Sequence, residues 1–291
     1  MTVFLQQLIN GIMLGSTYSL VAIGYTLIFG VLGLLHFAHG EVLMMGAFMG
    51  LFVALWAKLP IYITIIATMG LTALLGVVVD LMAVRPIRKE FHLAPLLSTI
   101  GVTIILQNVA IKLFGGYGTR FPDLIESINF QIGPLLLNSV NVFIFCVSIF
   151  LMIVLYFFIR KTRVGKAIRA VAESHQTASL LGVNVNATVV ITFAIASGLA
   201  GAAGVMIGLA FHTVTPYMGL NFALKGLVVM LLGGLGNVVG AMVGGLILGV
   251  VETLSVGFLT GSYQDMFAFG VMILILLFKP TGLFGTRLTQ A

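Results

Sequence analysis

The chain has 291 residues, 60% of them hydrophobic and 8% charged, with 14 Lys and Arg against 8 Asp and Glu for a formal net charge of +6. A soluble domain carries about 25% charged residues, so this composition, with a mean hydropathy of +1.20, excludes a soluble globular protein and predicts an integral membrane one. The single cysteine, Cys146, leaves no disulfide framework and no Cys-rich metal cluster to build.

A spanning helix needs roughly 20 apolar residues to cross about 30 Å of hydrocarbon. Apolar runs cover Leu8–Leu35, Val42–Ala57, Ile61–Val84, Leu93–Phe114, Val140–Ile159, Ala187–Phe211, Phe222–Phe258 and Met266–Phe278. They lack the alternation of barrel strands. The expected fold is therefore all-α, a polytopic transmembrane helical bundle of about eight spans with broken or re-entrant segments, in a single domain over residues 1–291. The first charged residue is Glu41 and the first basic one Lys58, so the first run lacks the positive flank of a signal peptide and is expected to remain as a helix. Cys146 falls within the run Val140–Ile159, where packing is its expected role.

Positive charge collects in two loops, with Arg85, Arg88 and Lys89 in one and Arg160, Lys161, Arg163, Lys166 and Arg169 in the other, and Lys279 and Arg287 follow in the tail. Basic residues beside helix ends mark the cytoplasmic side, so the charge reads as topology rather than as nucleic-acid binding. Counting back from Arg85 puts the N-terminus outside, the loops 115–138 and 212–221 outside, and the tail inside after an odd number of crossings. The run Phe222–Phe258 is too long for one span and is interrupted at Gly233-Gly234-Leu235-Gly236-Asn237, which makes it two short crossings or a re-entrant pair. Glycines four apart, at Gly11/Gly15, Gly46/Gly50, Gly204/Gly208, Gly236/Gly240/Gly244 and Gly245/Gly249, predict close helix contacts.

Ionisable groups in apolar surroundings are the candidates for function. The stretch GLLHFAHGEVLMMG, Gly33–Gly46, sets His36, His39 and Glu41 around the break between the first two runs. A glutamate at the bilayer centre costs at least about 2.5 kcal/mol on insertion scales, so Glu41 is expected near an interface, a wet cavity or a polar partner. Lys225 and Glu252 flank the second break and read as a salt bridge, as a snorkelling Lys with an interfacial Glu, or as path-lining groups; Asp80 and Arg85 read as a helix-end pair.

The polar segment 160–187 is the largest expected on the cytoplasmic side. Val164, Ile168 and Val171 recur at helical spacing while Lys166, Arg169 and Glu173 point elsewhere. After Ser174-His175-Gln176 a short apolar helix over Thr177–Leu181 is expected to end at Gly182 in a left-handed conformation. Two short helices joined by a turn make a knob, suited either to anionic headgroups or to a soluble partner.

The chain carries no GxxxxGK[ST] phosphate loop, the spacing of GLGNVVG is wrong for GxGxxG, and HExxH and GxSxG are both missing. Neither a catalytic residue nor a cofactor is expected, and any energy source must lie in another subunit. A metal enzyme using His36, His39 and Glu41, and a proton-coupled secondary transporter using Glu41 and Glu252, are the readings from other classes.

Five segments, LLHFAHGEVLMMGAF, VDLMAVRPIRK, LLSTIGVTIILQN, VGKAIRAVAESHQTASLLGVNV and LLGGLGNVVGAMVGGLILGVVE, resemble in order the branched-chain amino acid ABC transporter permeases, specifically those with an N-F-A-H-G-E motif. His36 stands here in place of the motif's Asn. The resemblance implies a multi-pass permease in a bacterial inner membrane, paired with a second homologous permease, two ABC ATPase subunits and a periplasmic binding protein, and in contact with membrane lipid but not nucleic acid. It implies hydrophobic amino acids as substrate, with urea or short-chain amides as the alternative. It also implies that the loop docks into the ATPase through Arg169, Ala172, Glu173, Leu181 and Gly182, although Ala172-Glu173-Ser174 departs from E-A-A-x3-G and no proline follows Gly182. His36, His39 and Glu41, with Gly233, Gly234, Gly236 and Asn237 in the second break, are the expected pathway or gate residues.

Overall fold

Helices that are apolar all round belong in the middle of a bundle. In a computed structural model describing residues 2–87, 94–259 and 261–285, two such helices form the centre. Helix α1 (Thr2–Leu32) is buried at nearly every position from Gly15 to Ile28, and α8 (Val185–Phe211) at every position from Ala196 to Leu209. Around them stand α2 (His39–Ala57), α3 (Ile61–Val79, prolonged by a π turn over Asp80–Val84), α4 (Ala94–Phe114) and α5 (Ser139–Lys161). The short α6 (Arg163–Glu173) and α7 (His175–Leu180) precede α8; α9 (Met218–Gly233), α10 (Val238–Phe258) and α11 (Gln264–Phe278) follow it. Among the described residues seven helices are long and apolar enough to cross a membrane, and α9 and α11 are shorter apolar helices. The expectations about Arg88, Lys89 and Arg287 lie outside the described residues.

Small residues bring the backbones together, as helix association in lipid requires. A methyl group at Gly15 would strike Gly245 and Leu246 of α10, one at Gly249 would strike Gly11 and Gly15, and one at Gly46 or Gly204 would jam α2 against α8. Gly236 departs from the expected packing role: its φ of +75° places it in the left-handed region of a turn, and a methyl group there would meet Gly30 alone among the described residues. Cys146 also departs, lying exposed on α5. That helix packs through Val140, Ile144, Ser148, Met152, Leu155 and Ile159, and position 146 falls off this stripe.

Short strands appear that the apolar pattern did not announce. Strand β1 (Thr119–Arg120) pairs antiparallel with β4 (Thr213–Val214), and β2 (Asn129–Ile132) with β3 (Leu135–Asn138). Gln6 near the start of α1 bonds the backbone of Leu136 in both directions, at 2.8 and 2.9 Å. The start of α1, the segment 115–138 and the α8–α9 connection therefore share one face. The opposite face gathers the end of α1, Arg85, the segment 160–187, the α9–α10 turn and the tail. His175 contacts the Val31 carbonyl, Arg85 reaches the Asn186 carbonyl, and Asn237 bonds the Phe284 carbonyl. This second face is the cationic one, carrying Arg85, Arg160, Lys161, Arg163, Lys166, Arg169 and Lys279.

Candidate functional site

The first break is built by a chain that folds back on itself. Helix α1 ends where Gly33, at φ +68°, donates its N–H to Phe29 O at 2.7 Å. Helix α2 then starts not level with that end but beside Gly24, eight residues or about 12 Å further in. A side chain at Gly24 would overlap the His39 ring, so this glycine makes room for the histidine. His39 stands edge-on to Tyr25 with ring centroids 4.6 Å apart, and His36 stands edge-on to Phe193 of α8 at 5.2 Å. His36 is 3% exposed, His39 0% and Glu41 1%.

Glu41 lies in the first turn of α2 and presses on Gly219, the second residue of α9. The starts of α2 and α9 thus converge on one buried carboxylate. Neither carboxylate oxygen has a hydrogen-bond partner among the described residues. The three residues are brought together but not as ligands: the histidine rings are 6.3 Å apart, and no group of three His, Cys, Asp or Glu among the described residues is placed to hold a metal ion.

The second break separates two helices rather than bending one. Gly233 of α9 touches Gly240 of α10, and Gly234 takes a φ of +107°. Asn237 caps α10 by accepting the Gly240 N–H at 2.9 Å. A helix end leaves carbonyls unpaired, and here the tail supplies donors: Leu283 N–H to Leu232 O at 2.8 Å and Phe284 N–H to Gly233 O at 3.0 Å. Residues 283–285 are therefore part of this site, through backbone groups that no side-chain pattern reveals.

The segment 160–187 forms the knob of two short helices, with α7 starting at His175, two residues before the expected Thr177, and ending at Leu180. Thr162 caps α6 through the Gly165 N–H at 3.0 Å, Ser174 caps α7 through the Thr177 N–H at 3.2 Å, and Gly182 closes α7 at φ +80°. Ile168 and Val171 are buried while Ala172, Glu173, Leu181 and Gly182 are exposed. Leu180 is 89% exposed and Leu181 76%, two bare apolar side chains at the tip. Arg169 leaves this tip and lines a cavity beside the α9–α10 turn. In the sequence His175 is only part of a polar step, yet its Nε2 meets the Val31 carbonyl and ties the knob to the last turn of α1.

Lys225 and Glu252 form a buried salt bridge, the first of the three readings. Glu252 Oε2 receives Lys225 Nζ at 2.9 Å, the Tyr18 hydroxyl at 2.8 Å and Gln264 Nε2 at 2.6 Å, joining α9, α10, α1 and α11. Asp265 lies 3.6 Å from the same ammonium. Asp80 and Arg85 lie 3.8 Å apart where the π turn ends, as expected of a helix-end pair.

Residues 7–276 match the family described as branched-chain amino acid transport system, permease component. The chain is 38% identical to the high-affinity branched-chain amino acid transport system permease protein BraD of Pseudomonas aeruginosa, covering 97% of this chain and 96% of that protein. It is 38% identical to LivH of Salmonella typhimurium and 37% identical to LivH of Escherichia coli K12, two permease proteins of the same description, with the same coverage. No solved structure matches the chain. With the family matched along nearly its whole length, the chain belongs to the permease components of branched-chain amino acid transport systems.

Proposed function

We propose that this chain is one of two permease subunits in a bacterial inner-membrane ABC importer for branched-chain amino acids. A second homologous permease completes the pathway, two ATPase subunits dock on the cationic, cytoplasmic face, and a periplasmic binding protein delivers substrate to the other face. The observation that carries this reading is the knob, which offers bare Leu180 and Leu181 beyond the helix ends and is fastened by His175 to α1. ATP-driven closure acts on a permease only through a contact that differs between its states. Ala172, Glu173, Leu181 and Gly182 supply that contact, with Arg169 behind them.

Purification of the tagged chain from its native membrane in mild detergent is expected to bring two Walker-motif ATPases and a second permease with it. The partner binding protein is expected to take leucine, isoleucine or valine; binding of urea or a short amide instead would favour the alternative substrate class. A chain that purifies alone and moves substrate into liposomes without ATP would overturn the importer reading in favour of a proton-coupled carrier.

Within this reading the two breaks form the inner gate. The end of α1 and the α9–α10 turn adjoin, with Gly236 near Gly30, and the first break packs Glu41 against the start of α9. Movement of α9 relative to α1 and α2 would change the surroundings of His36, His39, Glu41, Gly233, Gly234, Gly236 and Asn237 together. Glu41→Gln and His39→Ala are each expected to lower transport at least about fivefold with assembly intact, the lower end of typical coupling energies. Wild-type transport by both variants in reconstituted vesicles would remove these residues from the gate.

A further inference from the structure

Beside the knob, a cavity of about 320 Å³ opens between the end of α5, α6 and the α9–α10 turn. Its walls include Tyr156, Arg160, Arg169, Asn237, Val238 and Val239. Among the described residues neither arginine forms an ion pair, although five of the residues from 160 to 169 are basic. Arg160 is steadied by the Tyr156 ring, 4.9 Å from its guanidinium carbon. Asn237 satisfies the Gly240 N–H, which leaves those of Val238 and Val239 without partners in the helical ladder. Two arginines and a helix start lining one cavity suit an anion of several oxygens.

The level of the cavity identifies the anion. Tyr156, Ile159 and Arg160 belong to the last turns of α5, whose outer face bears the exposed Phe150, Ile153, Val154 and Phe157. An exposed apolar face on a spanning helix suits acyl chains, and a cavity beside the last turn of that helix, where the basic residues begin, suits the level of the headgroups. We propose that it holds the phosphate of an anionic phospholipid, gripped by Arg160 and Arg169 with the start of α10 behind them. The lipid then bridges α6 of the knob to the α9–α10 turn. This site stands on the arrangement of charge at the membrane boundary and does not depend on which substrate is carried.

Native mass spectrometry of the full chain, titrated with phosphatidylglycerol and with phosphatidylcholine of matched acyl chains, tests it. The chain is expected to bind phosphatidylglycerol about tenfold more tightly, and Arg160→Gln/Arg169→Gln to abolish the preference. Each single variant is expected to lose part of it. Arg163→Gln/Lys166→Gln removes the same charge outside the cavity and is expected to keep the preference. Equal loss in both double variants would overturn the site in favour of diffuse attraction, and no preference in the wild-type chain would overturn it outright. Displacement of the lipid by millimolar inorganic phosphate would overturn the lipid as source and assign the cavity to a free anion. These readouts require neither ATPase nor transport, so their failure is separate from failure of the importer reading.

Discussion

Glu252→Ala is expected to destabilise the purified chain by about 3 kcal/mol, because it leaves the Lys225 ammonium inside the bundle without its main counter-charge. Glu252 is wholly buried and Lys225 only 16% exposed, so water cannot replace the lost partner fully. Tyr18 and the more distant Asp265 still face the ammonium, which holds the loss toward the low end for buried pairs. For a chain of this size that corresponds to a fall of roughly 6–12 °C in the unfolding midpoint measured in detergent. A double variant, Glu252→Leu/Lys225→Met, removes both charges and is expected to recover most of the loss, since replacing a buried pair by apolar groups is often neutral. A midpoint unchanged in Glu252→Ala would mean that Glu252 and Lys225 do not hold the four helices together. If Lys225 lined the pathway instead, the double variant would keep its stability and lose transport.

The contrast between this cluster and the glycine contacts shows what a linear reading reaches. Helix existence follows from apolar runs, and Gly15, Gly46, Gly204, Gly245 and Gly249 make the close contacts their spacing predicts, because both properties are local and periodic. The knob is legible for the same reason, since Thr162, Ser174, Asn184 and Gly182 cap their helices through near neighbours. Partner choice across the bundle is not local. Tyr18 and Gln264 reach Glu252 from positions 234 residues before and 12 residues after it, and nothing in either segment announces the meeting. The β2–β3 hairpin and the tail's bonds to α9 use backbone groups, which every residue possesses. The depth of the first break was likewise hidden: a polar cluster before an apolar run reads as a junction at a helix end. It took the fit of His39 against Gly24 to set it inside the bundle.

That buried junction and the exposed knob are joined through His175, and the second large expected effect follows from the join. Two changes at the knob separate docking from coupling. Leu180→Asp/Leu181→Asp puts two charges where an ATPase groove would receive two apolar side chains, and loss of such anchors commonly costs 2 kcal/mol or more, about thirtyfold in affinity. The ATPases are therefore expected to be lost from the purified assembly. His175→Ala keeps Leu180 and Leu181 and removes the contact with the Val31 carbonyl. Its ATPases are expected to remain bound while leucine transport in vesicles falls about tenfold relative to ATP hydrolysed, within the 1–3 kcal/mol typical of coupling between sites. His175→Asn, which restores a short donor, is expected to recover part of the transport. Val31 lies in the last turn before the break that carries His36, His39 and Glu41, so under the proposed docking a displaced knob would pull on the segment that sets Glu41 against α9. Full transport by His175→Ala would force the stroke to enter through α6 and α8 instead, and would leave the first break as a packing feature of the permease core.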